Sequence, residues 1–180
     1  MGPKSVRGFT LLELMVVVVV VVILAAVALP SFESSLRLNR VNTLTNVLIA
    51  SLSMARSEAI RSHYPMGVCA SSDGRSCGTN WSNGWIVWRD TNGNSALDNG
   101  EDVLNYNQAN PAVTITANPI AAKFTFDRRG RTAATAVAEG LGLGQSIQLQ
   151  PNQCSPKEIL QRTLRVNASG QINATSGACT

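Results

Sequence analysis

A single carboxylate, Glu13, stands inside an apolar run that extends from Phe9 to Leu29, and nothing polar occurs between Leu14 and Leu29. In hydrocarbon a lone glutamate costs on the order of several kcal/mol unless it is neutralised or paired, so Glu13 needs a specific partner. A second group of oxygen side chains is Asp90, Asn92, Asn94, Asp98 and Glu101. Their spacing matches places one, three, five, nine and twelve of an EF-hand calcium loop. The sixth place, where that loop requires glycine, is Ser95, and a strand pattern rather than a helix precedes Asp90. The expectation is a solvated Asx/Gly turn, with calcium as the alternative. Four cysteines occur, Cys69, Cys77, Cys154 and Cys179, and one histidine, His63. No C-x2-C pair is present, so zinc is disfavoured against disulfides. The single histidine, with no Ser or Cys motif around it, disfavours nucleophilic catalysis. The expectation is a protein that is not an enzyme and carries no metal and no cofactor.

The element that holds Glu13 is the most legible part of the chain. As a helix, Phe9 to Leu29 would be roughly 30 Å long, enough to span a bilayer. Lys4 and Arg7 precede it with no acid near them. That bias keeps residues 1–8 in the cytoplasm and sends the C-terminal bulk across the membrane. A secretory signal peptide would have a shorter core and a small-x-small cleavage site, of which Ala25, Ala26 and Ala28 offer a weak version. A plain membrane anchor leaves Glu13 unexplained.

Gly8-Phe9-Thr10-Leu11-Leu12-Glu13, after a basic leader and before this apolar run, resembles the processing site of type IV prepilins and type II secretion pseudopilins. The resemblance implies that a prepilin peptidase cuts between Gly8 and Phe9 and that Phe9 becomes N-methylated. It makes Glu13 the fifth residue of the mature chain and matches Pro30 to a helix-bending proline. Cleavage creates an α-amine that is cationic near neutral pH, and a carboxylate of a neighbouring subunit pairs with such a group in a water-poor fibre core.

Beyond Pro30 a stripe continues at helical period: Val41, Leu44, Leu48, Leu52, Ala55 and Ala59. It predicts a helical spine over residues 31–62 whose apolar face docks on a sheet. Tyr64 before Pro65 is biased away from helical geometry and ends it. Strand patterns follow at Gly67–Cys69, Trp85–Trp88, Val113–Ala117, Phe124–Phe126, Ser146–Leu149 and Leu164–Asn167. Trp85–Trp88 is apolar on both faces and predicts a central strand. Asn83-Gly84, Arg129-Gly130 and Ser169-Gly170 mark turns, and Ala133–Gly144, rich in Ala and Gly, predicts a loop. One long helix followed by antiparallel strands is an α+β head. All three tryptophans fall between Trp81 and Trp88, a core cluster. In an exported head the cysteines are disulfide-permissive. Of three connectivities, Cys69–Cys77 with Cys154–Cys179 is favoured, because each closes one loop and the second ties down the chain end.

Ala55-Arg56-Ser57-Glu58-Ala59-Ile60, Gly84-Trp85-Ile86-Val87-Trp88-Arg89-Asp90 and Phe126-Asp127-Arg128-Arg129-Gly130-Arg131 together resemble the GspH/FimT/FimU branch of minor pilins and pseudopilins. The branch implies two small β-sheets packed on the helix and a minor fibre subunit. It also contains DNA-binding pilins with a Gly-Arg-x-Arg motif. The matching place here is Gly170-Gln171-Ile172-Asn173, where both arginines are absent. The formal charge is +4, and without Lys4 and Arg7 the chain has 13 basic residues against 11 acidic ones. That excess is too mild to argue nucleic-acid binding without a local patch. Lys123, Arg128, Arg129, Arg131, Arg162 and Arg165 are the residues that would have to form it. DNA is therefore not an expected partner.

The resemblance thus implies a leader at residues 1–8, a membrane and fibre-core helix at 9–30 and a periplasmic head at 31–180. The expected function is a minor pilin that primes type IV pilus assembly near the fibre tip. Its partners would be other minor and major pilins, the prepilin peptidase and the inner-membrane assembly machinery. A GspH-like pseudopilin of type II secretion and a FimT-like DNA-binding pilin are the alternatives.

Overall fold

The computed structural model describes residues 9–119, 123–132 and 145–180, with the side chains of residues 27–31 outside the description. Gly8 and the Ala133–Gly144 stretch therefore lie outside the described residues. By its internal contacts the chain forms two units, residues 1–37 and 38–180. Helix α1, Leu11–Ser62, belongs to both and is assigned through Pro30 as one element. It begins two residues later than the apolar run because Thr10 caps it. The Thr10 hydroxyl accepts the Glu13 amide at 3.2 Å and its carbonyl accepts the Leu14 amide at 3.1 Å. It ends where His63 turns to a φ of 61°, the left-handed position that commonly follows a last helical turn.

In the second unit the 3.6-residue stripe is buried. Val41, Leu48, Leu52, Ala55 and Ala59 are fully inaccessible and Leu44 nearly so. Opposite them lie two four-stranded antiparallel sheets, so the fold is the α+β arrangement expected. The first contains β1 (Met66–Ala70), β2 (Gly84–Arg89), β3 (Val103–Gln108) and β5 (Phe124–Phe126) in the order β3-β2-β1-β5. The second contains β4 (Val113–Asn118), β6 (Ser146–Pro151), β7 (Gln161–Val166) and β8 (Ile172–Gly177) in the order β4-β6-β7-β8. Trp85, Val87, Phe124 and Phe126 from the first sheet meet Ile115, Ile147, Leu149 and Leu164 from the second in one core under the helix stripe.

Strand β2 is interior, as its two-faced apolarity predicts. Trp85 and Val87 face the helix, and the Trp85 indole N–H donates to the Ser51 hydroxyl at 2.9 Å. Ile86 and Trp88 point the other way, onto Cys69, Cys77 and Leu97. The Cys69–Cys77 bridge thus seals the outer face of the first sheet, with Cα atoms 5.6 Å apart. Trp88 lies across Gly67, where a β-carbon would overlap the indole ring. The Cys154–Cys179 bridge, 5.8 Å between Cα atoms, ties the chain two residues beyond the last strand back to the β6–β7 connection. Both separations suit a disulfide. Cys69 is joined to Cys77 and Cys154 to Cys179.

Two strands carry no sequence signal of their own. VLNYNQ of β3 carries two Asn, and INATSG of β8 carries Asn and Gly, residues depleted in strands. Both are edge strands, and an edge strand needs neither a two-faced apolar pattern nor high propensity once its inner neighbour holds it.

Candidate functional site

The N-terminal unit presents the first candidate surface. Every large apolar side chain from Leu11 to Leu24 is exposed, from 75 % at Leu11 to 49 % at Val20. Glu13 is exposed among them in the first turn of α1, and Phe9 is 79 % exposed just ahead of the helix. A contiguous apolar surface of this extent marks a site that another apolar medium or molecule covers. Among the described residues no helix is long and apolar enough to cross a membrane. The described side chains of the apolar run stop at Ala26, while the sequence carries the run to Leu29.

The loop after β2 brings Asp90, Asn92, Asn94, Asp98 and Glu101 together. Asp90 is buried, and its carboxylate accepts the amides of Gly93, Asn94 and Ser95 at 2.6, 3.2 and 2.8 Å. Asp98 accepts the side-chain amides of Asn92 and Asn94 at 2.8 and 2.6 Å, which holds its carboxyl below the usual carboxylate range. Glu101 accepts the amide and hydroxyl of Thr91 and the amide of Asp98. Its burial pushes its pKa up, but these donors outweigh that and lower it overall. Ser95, at the place where a calcium loop has glycine, adopts a φ of 60°. The loop is thus an Asx-rich turn in which each carboxylate is met by N–H donors of the loop itself. Among the described residues no group of three or more His, Cys, Asp or Glu is placed to hold a metal.

The third feature is a clamp that motif spacing did not reveal. Two turns have the same build: Asp127-Arg-Arg-Gly130-Arg131 and Asn167-Ala-Ser-Gly170-Gln171. In each, the glycine amide donates to the carbonyl of the first residue at 2.8 Å, and the first residue's amide donates to the carbonyl of the fifth. The first side chain then accepts the amide of the fifth residue, at 2.9 Å for Asp127 and 2.8 Å for Asn167. Both glycines have positive φ, 72° and 76°. The turns touch so closely that a β-carbon on Gly170 would overlap the Gly130 carbonyl oxygen. Arg56 of α1 donates to both, from Nε to the Gly130 carbonyl at 2.9 Å and from Nη2 to the Ser169 carbonyl at 3.0 Å. Thr132 adds a bond to the Asn167 carbonyl at 3.0 Å. The clamp joins the end of the first sheet, after β5, to the β7–β8 hairpin of the second. The available signal was the repeated Asp/Asn-x-x-Gly pattern at 127 and 167.

The cations that would have to form a nucleic-acid patch are spread among these structures. Arg131 pairs with Asp127 at 3.0 Å, Arg162 donates to Asn42 of α1, and Lys123 donates to the Ser95 carbonyl. Arg128 and Arg129 are exposed on their turn and Arg165 on β7. Gln171 and Asn173 sit at and just beyond the second turn, where the DNA-binding motif would place arginines.

Comparison with known proteins gives a consistent result. The prokaryotic N-terminal methylation motif matches residues 3–29, the motif of a membrane-anchored pilin. Solved structures of two proteins share the fold. The type IV minor pilin FimU of Pseudomonas aeruginosa (strain PAO1) aligns with a TM-score of 0.57 at 16% identity, over 79% of this chain and 96% of that one. The minor pseudopilin EpsH from the type 2 secretion system of Vibrio cholerae aligns with a TM-score of 0.50 at 12% identity, over 76% of this chain and 97% of that one. At these identities the likeness is one of fold. No curated protein sequence gives a significant match. The family described as type II transport protein GspH matches residues 44–170, most of the chain, and the chain therefore belongs to this family of structural pilin and pseudopilin subunits.

Proposed function

We propose that the chain is a minor pilin, a non-enzymatic structural subunit that primes assembly of type IV pili and is incorporated near the fibre tip. The observation that carries this reading is the wholly exposed apolar surface of residues 11–24 with one carboxylate in its first turn. Such a surface needs hydrocarbon or a fibre core around it, and Glu13 needs a cation there. In this reading residues 1–8 are a leader removed by the prepilin peptidase after Gly8, and Phe9 is then N-methylated. Residues 9–30 anchor the subunit in the inner membrane, N-terminus cytoplasmic, and later enter the fibre core, with Pro30 bending the helix. Residues 31–180 form the periplasmic head on the 31–62 spine, oxidised at Cys69–Cys77 and Cys154–Cys179. Glu13 pairs with the terminal amine of a neighbouring subunit, and the head contacts other minor and major pilins and the inner-membrane assembly machinery.

Two measurements test the reading. N-terminal sequencing of membrane-extracted protein gives Phe9 first; a start between Ala25 and Ala28 would mean a signal peptide and end the pilin interpretation. Sheared surface fibres contain the chain. The family match to a type II transport protein favours one second reading, a pseudopilin of type II secretion. That reading gains if deleting the chain stops protein secretion and leaves surface pili intact.

A further inference from the structure

The outer edge of the second sheet lies open beside the helix. Strand β8 ends the order β4-β6-β7-β8, and among the described residues nothing pairs with its far side. The Asn167 amide donates to the Gln171 carbonyl, so those two backbones face each other at the hairpin. Antiparallel pairing alternates from there. With Val166 opposite Ile172, Leu164 opposite Ala174 and Arg162 opposite Ser176, the amides and carbonyls of Ile172, Ala174 and Ser176 point away from β7. Their side chains lie on the helix side of the sheet, where Ile172 packs on the core. Ala174 and Ser176 are nevertheless exposed.

Beside the start of β8 lies a groove of about 490 Å³, lined by Ile49, Ser53, Arg56, Ser57 and Ile60 of α1 and by Gln171 and Ile172. It lies at the hairpin end of β8. Arg56 reaches the hairpin turn at Ser169, and Asn42 meets Arg162, the residue opposite Ser176, so β8 and α1 run side by side in opposite directions. The helix rise between Asn42 and Arg56 is about 21 Å, the length of roughly six extended residues. Along the β8 edge a guanidinium stands near each end: Arg56, with Gly130's neighbours Arg128 and Arg129, at the hairpin, and Arg162 opposite Ser176. Among the described residues neither Arg56 nor Arg162 has a carboxylate partner.

We propose that this edge and groove take an extended segment of a partner protein as a fifth strand of the second sheet. Main-chain bonds to Ile172, Ala174 and Ser176 hold the segment, small apolar side chains at alternate positions fill the groove, and carboxylates at its ends meet the arginines. The inference concerns the head surface alone and stands whether the chain serves a pilus or a secretion system.

The test uses the full-length chain in detergent and a synthetic probe, a peptide of alternating Val and Thr flanked by glutamates. The glutamate peptide binds saturably, a lysine-flanked version binds at least tenfold more weakly, and N-methylation of alternate peptide amides abolishes binding. Ala174→Pro removes an amide that β7 does not use, so the strand persists while binding falls at least tenfold. Should that variant fail to fold, Ser53→Trp fills the groove from the exposed helix face and gives the same loss. No binding of the glutamate peptide at millimolar concentration, or unchanged binding by folded Ala174→Pro, would overturn the proposal. Self-association abolished by Ala174→Pro without peptide binding would overturn it too, by making a second copy the occupant.

Discussion

Arg56 crosses from its helix to two backbone carbonyls, Gly130 at 2.9 Å and Ser169 at 3.0 Å, and thereby fixes two turns that belong to different sheets. Only a planar fork of donors spans both acceptors from one side chain. Arg56→Ala leaves the part-buried Gly130 carbonyl and the exposed Ser169 carbonyl without these donors and lowers head stability by about 1–3 kcal/mol. Arg56→Lys restores less than half of that loss, because an ammonium reaches one carbonyl at a time; paired thermal melts of the two variants measure it. The same turns carry an acid sensitivity. At Asp127 burial raises the carboxyl pKa, but the amides of Arg131 and Arg129 and the Arg131 side chain outweigh burial and lower it. Asp73, Asp98 and Glu58 are likewise lowered, by donors from Arg75 and Ser76, from Asn92 and Asn94, and from Arg61 respectively. Each group binds a proton more readily in the unfolded chain, so the unfolded state holds more protons in acid and stability rises with pH. The contribution is fully present above the ordinary carboxylate range and is lost as pH falls through the depressed folded values. The melting temperature is therefore flat between about pH 6 and 8 and falls steadily below about pH 4.

Among the elements, those that face the core announce themselves. Val41, Leu44, Leu48, Leu52, Ala55 and Ala59 repeat at the helical period because one face of α1 must be apolar, and all six are buried. Trp85 to Trp88 is apolar throughout because β2 is covered on both sides, by the helix and by the Cys69–Cys77 loop. Strands β3 and β8 escape the same logic, since hydrogen bonds from one neighbour hold them and solvent meets the rest. The Arg56 clamp escapes it for another reason: three separate segments make it, and no local pattern encodes their meeting. The exposed last strand depends on the second disulfide. Cys179 stands two residues beyond β8 and its amide donates to the Glu158 carbonyl at 3.0 Å, while Thr180 and Gln150 bond across the same end. Replacing Cys154 and Cys179 by serine releases this end and destabilises the head by about 2–4 kcal/mol. Hydrogen exchange checks the location as well as the size: amides of β8 exchange faster, while those of β1 and β2 change only with the global loss.

On the scale of the whole molecule, one carboxylate stands on an exposed apolar helix. Glu13 lies where its charge is unfavourable in hydrocarbon and favourable beside a cation. Membrane residence and assembly therefore place opposite demands on it. Glu13→Ala removes the polar burden in the bilayer, so the variant inserts at least as well as the parent chain. It also removes the proposed partner of a neighbour's terminal amine, so the amount recovered in sheared fibres falls severalfold relative to the membrane pool. Glu13→Gln keeps the shape and loses the charge, and its incorporation falls nearly as far if the pairing is ionic. Quantitative immunodetection of the two fractions separates insertion from assembly. Parent-level incorporation of the Ala variant would remove Glu13 from the assembly mechanism, and a parallel fall in both fractions would assign it to insertion instead.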